Sequence, residues 1–274
     1  MTATTGALTA TDGTELYTRS WTIDAPRYDV LHVHGLGEHC GRWDAVAEHF
    51  NRNGANVYSY DLRGHGRSGG DSGDVGTFSD FYEDISSMAT ATAASSGRRW
   101  VLYGHSFGGM QSAGYLIKDE EPMPNVAVLS SPWMQVAGDF NSALLYATRG
   151  VAKFAPSMRF PVKIGEDQLS KDPAVAEEYF SDPHVTRAAT ARLGSEISKE
   201  MEELDGRLDE ITIPTLVFHG ADDEIAEPSA SAGLAASPGV ERKVYPNLRH
   251  ETHNEPEAAQ VLGDMTDWID AKLS

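Results

Sequence analysis

The chain has 274 residues, 40% of them hydrophobic, which is enough for one α/β core with an insertion. Its formal net charge of −19 excludes binding to nucleic acid or an anionic membrane by charge alone. The single cysteine, Cys40, excludes an intramolecular disulfide, and with no basic leader and no long apolar run the sequence predicts a cytoplasmic protein.

The chain opens with a hairpin pattern: Leu8-Thr9-Ala10 and Leu16-Tyr17-Thr18 flank the turn pair Asp12-Gly13. Val30 to Val33 reads as a strand ending at His34-Gly35-Leu36-Gly37. Trp43, Val46, Ala47 and Phe50 carry helical spacing up to Asn53-Gly54. Val57 to Tyr60 is the next strand, and Asp61-Leu62-Arg63-Gly64-His65-Gly66-Arg67-Ser68 a polar, glycine-rich loop. Thr77 is placed to cap a helix whose apolar face is Phe78, Phe81, Tyr82, Ile85 and Met88.

Arg99 to Tyr103 leads into Gly104-His105-Ser106-Phe107-Gly108, and helical spacing follows through Met110, Gly114 and Ile117. Strand, tight turn and helix are the context that a Gly-x-Ser-x-Gly elbow requires. A second match, Gly66-Arg67-Ser68-Gly69-Gly70, has no strand leading directly into it and no helix after it, so Ser106 and not Ser68 is the expected nucleophile.

Val126 to Leu129 is a further strand, stopped by Pro132. No compact strand is then expected until Thr215-Leu216-Val217-Phe218. Helices are expected around Phe140, Leu144 and Leu145 and around Val175 to Tyr179, with the proline-broken run Pro156 to Pro161 between them. The sequence therefore predicts an α/β core over residues 1–132 and 194–274, interrupted by a cap over 133–193. Strands at Leu216 to His219 and Arg242 to Tyr245, and a helix through Val261, Leu262, Met265, Trp268 and Ile269, close the chain. The alternation implies a mostly parallel sheet with helices on both faces and the site beyond the carboxyl ends of the strands.

A serine nucleophile needs a base, and the base an orienting acid, in the chain order Ser, Asp or Glu, His. Asp222 and Asp223 follow the strand ending at His219, and His250 and His253 follow the strand ending at Tyr245. Position within the loop separates neither Asp222 from Asp223 nor His250 from His253; order and an available aspartate support a triad role for His250, and His253 reads as a polar first-turn residue. The oxyanion hole takes one backbone N–H from the residue after the nucleophile, Phe107, and one from the early strand-to-helix loop, at Leu36.

With these motifs in place, the chain resembles the α/β-hydrolases of the monoglyceride lipase and lysophospholipase group, also classed with serine aminopeptidase-like hydrolases. The matching residues are His34-Gly35-Leu36-Gly37-Glu38-His39, Asp61 to Ser68, Gly104 to Gly109, Gly220-Ala221-Asp222-Asp223 and His250-Glu251. Leu169 to Pro173 and Asp182-Pro183 add to them from the cap. The resemblance implies the α/β-hydrolase fold, Ser106, Asp223 and His250 as the triad, and Leu36 and Phe107 as oxyanion donors. It departs from the family at Phe107 (often methionine), at Trp43 (often tyrosine) and at His32, which is expected as a hydrogen-bonded core histidine. Glu38, His39, Arg63 and His65 are expected to fix loops, and Cys40 to be an unreactive thiol.

The expected activity is a cofactor-free, metal-free serine ester hydrolase. The resemblance implies monoacylglycerol as substrate. A short-chain carboxylesterase, a lysophospholipase or an aminopeptidase-like enzyme on the same triad remains open, as does a non-catalytic binding protein. The expected partner is a small ester or lipid, with at most transient contact with a membrane surface through apolar area. Leu144 and Leu145 are the expected substrate contacts in the cap.

Overall fold

Short β-branched and aromatic runs alternate with amphipathic helices, and the chain folds accordingly. The computed structural model describes residues 3–137 and 139–274, with only the backbone described over 139–142. β1 (Thr4–Thr9) and β2 (Glu15–Trp21) form the expected hairpin, with Leu8 opposite Leu16. Its turn is set by the Asp12 side chain, which accepts from the Thr14 N–H at 2.9 Å, and by Gly13 at φ +90°. β3 (Tyr28–Val33), α1 (Asp44–Arg52), β4 (Ala55–Tyr60), α2 (Ser79–Ala91), β5 (Trp100–His105), α3 (Phe107–Ile117) and β6 (Val126–Ser130) continue the alternation.

After β6 the chain forms α4 (Asp139–Ala152), β7 (Arg159–Pro161), α5 (Pro173–Ser181), β8 (Ala188–Thr190) and α6 (Ala191–Asp205). It then returns to the sheet through β9 (Thr215–Gly220), β10 (Val240–Tyr245) and α7 (Ala258–Leu273). The eight-stranded sheet has the order β1-β2-β4-β3-β5-β6-β9-β10, antiparallel at β1-β2 and β2-β4 and parallel from β4 onward.

Strands β3, β5, β6 and β9 are buried along their whole length, as a sheet covered on both faces requires. Alternate residues serve opposite layers. Leu31, Val33 and Leu102 pack with Phe81 and Ile85 of α2 and Met110 of α3. Val30, Val101 and Tyr103 pack with Phe50 of α1 and Met265 and Ile269 of α7. The parallel strands all end on one edge, which places the loops after β3, β5, β9 and β10 together.

Two local features differ from expectation. The segment expected as a cap contains a two-stranded antiparallel sheet, with Phe160 opposite Ala189; strands of three residues are too short to show a period, and Pro161 reads as a breaker. At α2 the capping runs the other way: Asp80 accepts from the Thr77 N–H and hydroxyl at 3.0 and 2.8 Å. In the cap, α5 begins with Asp172 accepting from the Ala174 N–H at 3.0 Å and Pro173 in the first turn. Thr190 caps α6 at the Leu193 N–H, 3.1 Å, so residue 193 lies within the first turn of a helix continuous to Asp205.

Candidate active site

Ser106 sits between β5 and α3 with φ 53° and ψ −116°, a conformation that a side-chain-bearing residue adopts only when its surroundings hold it there. They do so through the backbone. The Ser106 N–H donates to the Ser130 carbonyl at 2.9 Å, and its own carbonyl accepts from Met110 and Trp133, both at 3.0 Å. The turn also needs glycine on both sides. A Cβ on Gly104 would collide with the Gly108 carbonyl and Ser112 Oγ, and one on Gly108 with the Val33 carbonyl. Ser68, by contrast, is spent on its loop: its hydroxyl accepts from the Tyr17 N–H at 2.9 Å and donates to the Asp61 carbonyl at 2.5 Å.

The two aspartates that the sequence leaves level are separated here. Asp222 is exposed. Asp223 is buried, and its Oδ2 accepts from His250 Nδ1 at 2.8 Å. Its Oδ1 accepts from the Ile225 and Ala226 N–H groups at 2.9 and 3.0 Å. Burial alone would raise the Asp223 carboxyl, but His250 beside it and the amide donors hold it below the usual carboxylate value. Burial alone would lower the His250 imidazole, and the Asp223 charge and hydrogen bond outweigh it, so it sits above 6.5. The loop carrying His250 is pinned where Ser131 Oγ donates to the His250 carbonyl at 2.9 Å. His253, the other histidine after β10, lies in the short turn Thr252–Asn254. It is buried and stacked on Trp43 with ring centroids 4.1 Å apart, and burial brings it down to about 4.

Leu36 and Ser106 line one cavity, and Phe107 follows Ser106 in the chain. As the first residue of α3, Phe107 has no intrahelical acceptor for its N–H. Among the described residues neither amide donates to a protein group. The Gly35 N–H, in contrast, is taken by Glu38 Oε1 at 2.6 Å.

Glu38 opens a buried ionic cluster that the sequence did not single out as such. Arg42 reaches Glu38 at 3.2 Å and grips both oxygens of Glu251 at 2.7 and 3.0 Å, and all three side chains are at most 5% exposed. Trp43 Nε1 donates to Glu38 at 2.9 Å, Asn254 to Glu251 at 2.7 Å, and the Arg42 guanidinium lies 5.0 Å over the Tyr179 ring. The cluster joins the loop after β3, the loop after β10 and the cap. The spacing from Glu38 to Arg42 was readable; Glu251, 209 positions from Arg42, was not. Two further ties bind the early loop to the cap: the Thr186 N–H donates to the Gly37 carbonyl at 2.7 Å, and His39 Nε2 meets Asp182 Oδ2 at 2.8 Å.

Arg63 grips buried Asp84 with two bonds of 2.7 Å, and His65 Nδ1 lies 3.0 Å from the Arg63 carbonyl. His32 Nδ1 lies 3.0 Å from Ser59 Oγ in the core. Cys40 is fully buried, and burial pushes its thiol well up. Among the described residues no group of three or more His, Cys, Asp or Glu is arranged to hold a metal ion. No helix among them is long and apolar enough to cross a membrane.

A cavity of about 750 Å³ opens over Ser106 and His250. Its apolar wall comes from Trp133 and the cap residues Leu144, Leu145, Phe160 and Ile164, with Ile197 of α6. Glu38, Tyr179 and Glu251 contribute polar lining beside the early loop. Leu144 and Leu145 line this cavity. Phe154 does not, being 91% exposed, and the Phe140 side chain lies outside the described residues.

The model of the family described as serine aminopeptidase, S33, matches residues 24–257, most of the chain. The chain belongs to that family. It is thus a serine hydrolase of α/β-hydrolase fold. Among its relatives is a monoacylglycerol lipase of Mycolicibacterium smegmatis, 35% identical over 263 residues and covering 92% of each chain. The crystal structure of a monoacylglycerol lipase from Paleococcus ferrophilus superposes with a TM-score of 0.85 at 25% identity, over 94% of this chain and 99% of that one. A soluble variant of the Saccharomyces cerevisiae monoglyceride lipase, solved with a substrate analog, has the same fold, with a TM-score of 0.89 at 22% identity over 100% of this chain and 97% of that one.

Proposed function

We propose that the protein cleaves monoacylglycerols, releasing glycerol and a fatty acid, through an acyl-enzyme on Ser106. The observation that carries this reading is the shared cavity. One apolar chamber holds a serine on a strained elbow and a histidine already paired with a buried carboxylate. In this mechanism His250 takes the Ser106 proton as the hydroxyl attacks the acyl carbonyl. Asp223 holds the imidazole by Nδ1 and stabilises the cation that forms. The N–H groups of Leu36 and Phe107 bind the oxyanion. His250 returns the proton to the leaving glycerol oxygen, and water then releases the acyl group by the same steps in reverse.

The apolar wall suits an acyl chain, and the names of the relatives support a glycerol ester. The polar lining at Glu38 and Tyr179 suits the hydroxyls of the alcohol half. Residues 133–193 form the cap in this reading. Its exposed Leu144, Tyr146, Phe154 and Met158 would make transient contact with a lipid surface through apolar area and not charge.

The test compares Ser106→Ala with Ser68→Ala on mono-, di- and triacylglycerol, a short ester and an aminoacyl anilide. The reading expects Ser106→Ala to lose about 10⁴-fold or more in kcat and all labelling by a fluorophosphonate, Ser68→Ala to keep both, and monoacylglycerol to lead the panel. Labelling that survives Ser106→Ala sinks the nucleophile, and a panel led by the anilide or the short ester sinks the substrate.

A further inference from the structure

His219, next to last in β9, is fully buried, and no step above uses it. Its Nδ1 lies 3.0 Å from Ser231 Oγ, and its Nε2 faces Asp223 Oδ2 at 3.5 Å, the same oxygen that accepts from His250. Burial brings the His219 imidazole down to about 4, so at neutral pH the ring carries one proton and presents one lone pair.

Ser231 on one side and Asp223 on the other bear on which nitrogen holds that proton. Three groups converge on its oxygen: Arg242 Nε and His219 Nδ1, each at 3.0 Å, and the Pro228 carbonyl at 2.9 Å. Arginine can only donate, so Oγ accepts from Arg242. Serine has one proton to give. The Pro228 carbonyl accepts it, and has a second lone pair for Arg242 Nη2 at 2.6 Å, so the tautomer is decided on the Asp223 side, where an Nε2–H turns its positive end to the carboxylate. The other arrangement would put the Nε2 lone pair against a buried carboxylate oxygen, where both are negative.

We propose that His219 is a positioning residue for the triad: in its Nε2–H tautomer it turns an N–H dipole toward the Asp223 carboxylate at 3.5 Å, opposite His250, without closing a hydrogen bond. This rests on the Ser106–His250–Asp223 reading above. The N–H dipole offsets part of the negative charge of Asp223 and so moderates how strongly that charge holds a proton on His250.

The groups facing His219 are Asp223, His250, Arg242 and Glu227. Those facing His250 are Asp223, Glu251 and Glu38, with the His105 ring 5.0 Å away. None but His219 is altered by the test. Removing the N–H with His219→Phe should leave Asp223 more negative toward His250. The acid limb of the kcat/KM profile should then move to higher pH by about half a unit, with kcat falling more than KM changes. His219→Gln, whose amide can place an N–H near the Nε2 position, should bring the limb back toward the parent.

The sign is the test of the tautomer. A lone pair facing Asp223 would instead make the limb move down on removal, and a purely packing role would leave it unmoved; either overturns the proposal. Should His219→Phe fail to fold, the ¹⁵N shifts of His219 in the parent decide the matter. An Nε2–H pattern supports it, and an Nδ1–H pattern refutes it. Ser106→Ala separates the two readings. If it stays active, the triad itself is wrong; if it is inactive and the limb does not rise, only the role of His219 falls.

Discussion

Arg42 is the residue whose replacement should cost the fold most at a site that touches no substrate atom in the mechanism. It stands between two carboxylates, Glu38 and Glu251, with all three side chains at most 5% exposed. Arg42→Met keeps much of the length and packing over Tyr179 but leaves two buried acids without a cation. Breaking a buried ion pair from one side typically costs about 3–5 kcal/mol, because the stranded charge keeps its desolvation penalty. In a chain of this size that is a fall in Tm of roughly 10 °C.

The pH dependence gives a second handle. Burial would raise the Glu251 carboxyl, but Arg42 outweighs it and holds the group below its ordinary 4.5. A depressed carboxyl contributes stability above its unfolded value and loses it as pH falls through the folded one. In Arg42→Met the same carboxyl should rise, so the penalty is full at alkaline pH and relieved as the acid protonates. The gap between parent and variant should therefore be widest at pH 8 and narrower at pH 5. Urea unfolding at the two pH values measures it. A loss under about 1 kcal/mol at pH 8, or a gap that does not narrow in acid, would refute the argument that Arg42 compensates buried charge.

Two other outcomes are expected. Asp223→Asn should lower kcat by about 10⁴-fold, since the imidazole loses its orienting anion, while Asp222→Asn on the exposed neighbour should stay within a few-fold; reversed effects in steady-state assays would shift the acid by one position. Leu144→Ala/Leu145→Ala should reduce kcat/KM for a long-chain ester roughly tenfold, at about 0.8 kcal/mol for each of two uncovered methylenes, and barely touch a short ester. Equal losses on both esters, with circular dichroism unchanged, would make these leucines packing residues only.

Much of this molecule was legible because two different signals agreed. The buried strands carry continuous apolar runs, the helices keep their period, and Gly104 and Gly108 flank a serine where backbone atoms leave no room for a side chain. What stayed hidden depends on distance in space and not in sequence. Asp222 and Asp223 have the same chemistry in the same loop, and only the direction of the turn decides which meets His250. His253 read as a polar first-turn residue because nothing local announces the face of Trp43 beneath it. The β7–β8 pair was invisible because three residues carry no period.

The cap is anchored unevenly, and that divides its labour. The stretch from Tyr179 to Thr186 is bolted to the early loop by the Thr186 amide, the His39–Asp182 contact and the Arg42 guanidinium. Helix α4 is instead fastened to α6, where Arg149 donates to the Ser198 hydroxyl and carbonyl at 2.7 and 2.6 Å. A change of sequence in the first stretch disturbs the loop after β3 at once, whereas α4 can change without loosening those ties. Under the proposed function, the fold thus leaves one wall free to be remodelled for new acyl groups and keeps the other fixed.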